Sequence, residues 1–519
     1  MLAMVVNDNA YVLIEHGAHV GASLLAMEVN DNAYFLIEHG AHVGASLLAM
    51  VVNDNAYVLI EHGAHVGASL LAMEVNDNAC FLIRRGALWS IVGTPPGASS
   101  LLHIHPYNDN KSADMTNEST TQAPLPLSSN PAVFNTGSWV GRVWLPGQGP
   151  AVVLVKAGAV HDISAHVATV SALLEVADPV KYLRALPLAE ALIELPALLD
   201  NSDPNQRDEN LPWLLAPIDL QAVKAAGVTF AASLLERVVE EQAKGDPAKA
   251  DAIRDTLASR IGADLSQIVP GSAQAEDLRK VLVEQGLWSQ YLEVGIGPDA
   301  EIFTKAQPLS AVGHGADIGI HPKSSWNNPE PEVVLAVSSN GTLQGAMLGN
   351  DVNLRDFEGR SALLLSKAKD NNASTSLGPL LRLFDETFSL DDVRNAEVDL
   401  RVEGQEGFIM EGRSSMRQIS RDPLDLVQQT LNENHQYPDG LVLFLGTLFA
   451  PKQDRDQPGN GFTHKPGDLV AISNVQLGTL CNRVTTSDQA PRWDFGLRSL
   501  IDSLSRRGLL EAAVTARQP

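Results

Sequence analysis

The segment PEVVLAVSSNGTLQGAMLGND, residues 331–351, constrains the fold more than any other stretch of the chain. An Asn-Gly pair between two apolar alternations predicts a β-hairpin with a two-residue type I′ turn. In that register Ser339 faces Thr342 and, further out, Glu330 faces Asp351. Side chains alternate along a strand, so Glu330 and Glu332 share a side, and the cross-strand partner Asp351 joins them. Three like charges on one patch call for a neutralising cation. Oxygen donors without sulfur or imidazole select a hard ion, Mg²⁺ first with Mn²⁺ and Ca²⁺ as alternatives, and three ligands leave roughly three octahedral positions open. Open positions point to catalysis rather than structure. The alternative is a solvated strand end that happens to be acidic.

Charge narrows the partners. The 519 residues include 62 acidic and 37 basic ones, a formal net charge of −25. Such a surface repels phosphate backbones and anionic bilayers, so neither nucleic acid nor membrane is an expected partner. Cys80 and Cys481 stand far apart and outside any ligand spacing, which fits a reducing compartment. No uncharged apolar run approaches the ~20 residues needed to span a bilayer. A cytosolic location is expected.

Residues 1–93 are tandem copies with a period of 23, starting at Leu2, Leu25, Leu48 and Leu71. Within each copy LIEHGAHV resembles the second helix of an ankyrin repeat, although the period and the absent TPLH turn disagree. On a helix, pairs such as His16 and His19 would share a face. A non-catalytic role is the expectation for these repeats. Residues 94–137 form a polar linker, 138–216 read as a small β-rich domain, 217–510 hold the chemistry, and 511–519 are a tail.

The motifs WNNPEPEVVLAV and LGNDVNLRD resemble the fumarylacetoacetate hydrolase superfamily, and so do GVTFAASLLE, IFTKAQPLSAVG, KDNNASTSLGP, LFLGTLFAP and HKPGDLVAISNVQLGTLCNRV, in that order. The resemblance implies an α+β, β-rich fold: a mixed β-roll with flanking helices, preceded by the small N-terminal domain and commonly assembled as a homodimer or higher homo-oligomer. It implies that Glu330, Glu332 and Asp351 hold Mg²⁺. It further implies that Lys369 is the active-site lysine, that Lys305 lies on the substrate side, and that Gly446 and Thr447 form a turn beside the substrate. Where the hydrolases carry a histidine in a His-Glu pair, this chain has Ser233 with Glu236.

Histidine is the usual base for activating water near neutral pH. Its loss shifts the expectation toward the branch that dehydrates 2-keto-3-deoxy sugar acids, with a pentonate going to α-ketoglutarate semialdehyde. In that reading Lys369, its pKa lowered by the cation and by burial, takes the C3 proton. Glu236 protonates the departing 4-hydroxyl, through Ser233 or water. A capping box is the structural alternative for Ser233 and Glu236. Arg355 either binds a substrate carboxylate or braces the metal loop, and His314 and His321 serve a loop. A C–C hydrolase of a 2,4-diketo acid is the second reading, and a repeat-bearing interaction protein with an inactive catalytic domain the third.

Overall fold

The computed structural model describes residues 131–244, 268–284 and 288–516, apart from 450, 452 and 458–460, together with the strands between Leu2 and Ile91. The chain divides into two units, Met1–Glu118 and Ser119–Pro519.

In the first unit each repeat contributes strands such as Leu24–Glu28, Asn32–Ile37 and His42–Val43. Successive copies pair in parallel, Leu2 beside Leu25, Tyr11 beside Tyr34 and His19 beside His42. This is the arrangement of a solenoid, in which each unit stacks on its own copy. The described residues of LIEHGAHV, Leu13, Ile14, His19 and Val20 in the first copy, therefore lie in strands and not in an ankyrin-like helix. The glycine after each Glu-His disfavours it, and identical neighbours in register reward extended backbone instead. His16 lies outside the described residues.

The second unit is built around the expected hairpin. Strands Pro331–Val337 and Leu343–Asp351 pair antiparallel at the centre of an eleven-stranded sheet. All of Pro331–Val337 is buried. Val333, Leu335 and Val337 enter one core and Val334 and Ala336 the other, so alternation buries both faces. Full burial of such side chains stabilises by about 1.5–3 kcal/mol each, and this anchors the carboxylates at the strand's outer end. A five-stranded sheet containing Glu397–Glu403, Leu469–Asn474 and Gly478–Thr486 packs on the first face.

Residues 138–216 do not stand apart. Strand Ser138–Leu145 pairs with Thr375–Leu383, and through it Gly149–Lys156, Ala159–Asp162 and Ile193–Glu194 extend the central sheet. A sequence of short alternating strands looks self-contained because nothing in it reveals which distant strand completes the pairing.

The turn also differs from expectation. Gly341 has φ +86° while Asn340 does not enter the left-handed region, and Gly341 N–H donates to Ser338 O at 3.0 Å. This is a type I turn closed by a left-handed glycine, a three-residue loop. Asn340 Oδ1 secures it by accepting from Ser338 Oγ and from Thr342 N and Oγ1. The extra residue is absorbed by a bulge between Ala336 and Val337, so Pro331 still faces Asn350 as predicted.

Gly349 has a packing reason. A Cβ there would meet Phe444 Cε1 at 2.4 Å and Val334 Cγ2 at 2.7 Å. Gly349→Ala is expected to cost about 1–3 kcal/mol through overpacking, seen as a lowered Tm in calorimetry. An unchanged Tm would show that Phe444 moves aside freely. Among the described residues no helix is long and apolar enough to cross a membrane.

Candidate active site

At the outer end of the hairpin, Glu330, Glu332 and Asp351 are all buried, each offering an oxygen within 4.8 Å of the others'. The backbone carries the pairing, with Asp351 N–H donating to Glu330 O at 3.1 Å. The donor set fits a hard cation.

The electrostatics show why such a site wants positive charge. Burial, with Asp351 and Glu330 adding repulsion, pushes the Glu332 carboxyl well above its usual range. Burial also raises Glu330, with Lys369 and Arg237 opposing. For Asp351 burial acts upward too, but Lys305 and Lys369 outweigh it and hold the group below its ordinary value. Two lysines therefore satisfy Asp351, whereas burial and repulsion push Glu332 toward its neutral form.

Lys369 ends the short helix Leu365–Lys369 and inserts its ammonium between two carboxylates. Its Nζ lies 2.8 Å from Glu330 Oε2 and 3.1 Å from Asp351 Oδ2. Burial favours the neutral amine, yet Asp351 and Glu330 outweigh it and raise Lys369 above the ordinary lysine value. The lowering expected for Lys369 presupposes a cation on these carboxylates.

Lys305 is neither a surface lysine nor part of the cavity wall. Fully buried, it lies 3.0 Å from Asp351 Oδ1 and donates to Lys369 O at 2.7 Å and Val352 O at 3.3 Å. It props Asp351 from behind and is not among the described lining residues. Gly446 and Thr447 do line the cavity, and Gly446 N–H donates to Glu332 Oε2 at 2.6 Å. Gly446 needs its φ of +89°, and a Cβ there would meet Thr229 Oγ1.

Glu236 and Arg355 belong to a different contact. Arg355 lies over the Trp326 ring at 4.3 Å and 3.5 Å from Glu236 Oε2, and neither is among the cavity's described lining residues. Arg355 also reaches Pro451 O at 3.5 Å. Ser233 lies inside helix Ala231–Ala243, past its start, so it is not the N-cap of a capping box; its side chain is outside the described residues. His314 is buried and neutral, held down to about 4 by burial, with Nδ1 accepting from Cys481 N–H. His321 Nδ1 accepts from Lys323 N–H in an exposed loop.

Three charged cavity residues were not anticipated: Arg237, Glu301 and Glu358. Glu301 opens the strand Glu301–Ala306, on the same side as Phe303 and Lys305 by alternation. Its carboxylate lies against Gly227, whose missing side chain makes the room, since a Cβ there would stand 2.1 Å from Glu301 Oε2. Burial and Glu358 push Glu301 up to about 7, against Arg237 and Lys369. No hydrogen bond or ion pair of its carboxyl to another described side chain is seen. The period-two spacing Glu301, Phe303, Lys305 is the signal that would have found it.

Residues 293–485 match the fumarylacetoacetate hydrolase C-terminal family. The chain is 30% identical over 184 residues to a 2-dehydro-3-deoxy-D-arabinonate dehydratase of Saccharolobus solfataricus, covering 36% of this chain and 58% of that protein. It is 30% identical over 203 residues to a probable 2-keto-3-deoxyxylonate dehydratase of Haloferax volcanii, covering 39% of this chain and 66% of the relative. The match therefore spans less than two thirds of either relative. A solved 2-keto-3-deoxy-D-arabinonate dehydratase, complexed with magnesium and 2,5-dioxopentanoate, superposes with a TM-score of 0.47 at 21% identity, over 67% of this chain and 99% of that one.

Proposed function

Residues 293–485 belong to the fumarylacetoacetate hydrolase superfamily, and on that premise we propose that the chain is a Mg²⁺-dependent lyase that dehydrates a 2-keto-3-deoxy sugar acid, a pentonate, to α-ketoglutarate semialdehyde. One observation carries the reading. A lysine and an unpaired carboxyl face the same cavity as three buried carboxylates, and no histidine is among its described lining residues. The pair suits removal of a proton from one carbon and protonation of a hydroxyl on the next.

Glu330, Glu332 and Asp351 are the residues to hold the ion, which when bound supplies polarisation of a 2-keto acid and so acidifies C3. With Glu330 and Asp351 turned to a cation, the pairs that keep Lys369 protonated are gone, and burial then favours the neutral amine. Lys369 takes the C3 proton. Glu301, protonated below about 7, delivers its proton to the 4-hydroxyl, which leaves as water. The unsaturated product tautomerises to the semialdehyde. Glu301 thus replaces Glu236 as the acid, for the plain reason that it faces the cavity. Phe303 lies 5.5 Å below Lys369 Nζ and keeps water from that side.

Catalysis by Glu301 has a pH signature. The acid form acts, so kcat is expected to fall as pH rises through about 7. Glu301→Gln is expected to lower kcat by about 10²-fold or more and to abolish that limb of the profile; a profile unchanged in Glu301→Gln would assign the acid elsewhere. The function itself is tested by supplying 2-keto-3-deoxypentonates and 2,4-diketo acids in parallel. Aldehyde from the former supports dehydration, whereas cleavage of the latter alone means hydrolysis.

The residues of this chemistry all lie in the second unit, so the repeats are taken as non-catalytic. A cytosolic homodimer or higher homo-oligomer is the proposed working form, open to test by sedimentation.

A further inference from the structure

Each carboxylate of the triad is gripped by one oxygen from outside. Arg237 Nη2 lies 2.6 Å from Glu330 Oε1, Gly446 N–H 2.6 Å from Glu332 Oε2, and Lys305 Nζ 3.0 Å from Asp351 Oδ1. The opposite oxygens, Glu330 Oε2 and Asp351 Oδ2, are those that hold the Lys369 ammonium. Two of the three outer grips belong to segments that the sequence motifs mark. The third comes from Arg237 on helix Ala231–Ala243, one residue past the end of the GVTFAASLLE motif.

Arg237 is itself tied down. Its Nη1 lies 2.6 Å from Glu358 Oε2 at the end of helix Arg355–Glu358, so one guanidinium bridges two acids that are 8% and 6% exposed. A planar fork spans two acceptors at once and holds them at a fixed angle, which a lysine ammonium on a flexible stem does not.

We propose that Arg237, braced by Glu358, is a positioning residue that sets the orientation of Glu330 and with it the affinity of the ion site. The inference rests on the metal reading above. Without the guanidinium, Glu330 has only Lys369 to direct it, and Glu358 becomes a buried acid without this partner. Partners of this kind behind metal ligands typically contribute 10–100-fold in affinity.

The test is Mn²⁺ binding to the intact, chelator-stripped chain without substrate, read from the free-ion electron paramagnetic resonance signal. Arg237→Gln is expected to weaken binding by about 10–100-fold, with Arg237→Lys failing to restore it and Glu358→Gln showing a smaller loss. Arg455→Lys is the control, since it loosens another buried pair, 2.6 Å from Asp468; it is expected to lower Tm with Mn²⁺ affinity unchanged. Wild-type affinity in both Arg237 variants overturns the inference, and so does an equal loss in Arg455→Lys. Should Arg237→Gln not fold, Glu358→Gln decides: weaker Mn²⁺ binding supports the proposal and unchanged binding refutes it. A wild-type chain that binds no Mn²⁺ defeats the metal reading itself, a separate outcome.

Discussion

Lys369→Ala is expected to lower kcat by about 10²–10⁴-fold, the range for loss of a positioned proton-transfer group, with KM little changed. No other described cation reaches the same place. Arg237 is engaged by Glu330 and Glu358, and Lys305 is walled off behind Asp351. Lys369→Arg separates the two things the residue does. An arginine keeps the positive charge but cannot surrender its proton, so it is expected to be as inactive as the alanine variant. Activity near wild type in Lys369→Arg would reduce Lys369 to a counter-ion for Glu330 and Asp351.

The second large effect separates two members of the triad. Asp351 is paired with Lys305 and Lys369 and held ionised, whereas Glu332 is pushed toward its neutral form. Asp351→Asn therefore leaves Lys305 buried beside a neutral amide. Breaking a buried pair in this way costs about 3–5 kcal/mol, so this variant is expected to be both less stable and inactive. Glu332→Gln replaces a carboxyl that burial and its acidic neighbours push toward its neutral form with a neutral isostere. Its Tm without metal is expected to match or exceed the wild type, while activity falls by at least about 10²-fold, since an ion ligand is lost. Calorimetry of the chelator-treated proteins beside turnover assays reads both. Equal destabilisation by the two substitutions would mean that the charges are not divided as the geometry indicates.

The triad was legible because two periodicities agreed: alternation placed Glu330 with Glu332, and the hairpin brought Asp351 opposite. The predicted turn was of the wrong type, yet the bulge at Ala336 restored the register before it reached the carboxylates. That compensation is not written in any local pattern. In the proposed mechanism the donor passes from Glu236 to Glu301, and adjacent helical residues pointing about 100° apart explain why Arg237 rather than Glu236 lines the cavity. Glu236 turns to Arg355 and Trp326, while its neighbour Arg237 turns to the cavity. Glu301 escaped because its exposure to the cavity depends on Gly227 across the strand pair, a contact between distant segments. The same limit applies to residues 138–216, whose strands join a sheet partner more than two hundred positions away.

Turnover of a 2-keto-3-deoxypentonate after exhaustive chelation is the most direct measurement. Aldehyde production is expected to stop when divalent ions are removed and to return on titration with Mg²⁺, in step with occupancy of a single site per chain. Dehydration that continues undiminished in the stripped protein would contradict the assignment of Glu330, Glu332 and Asp351 as the seat of a catalytic cation.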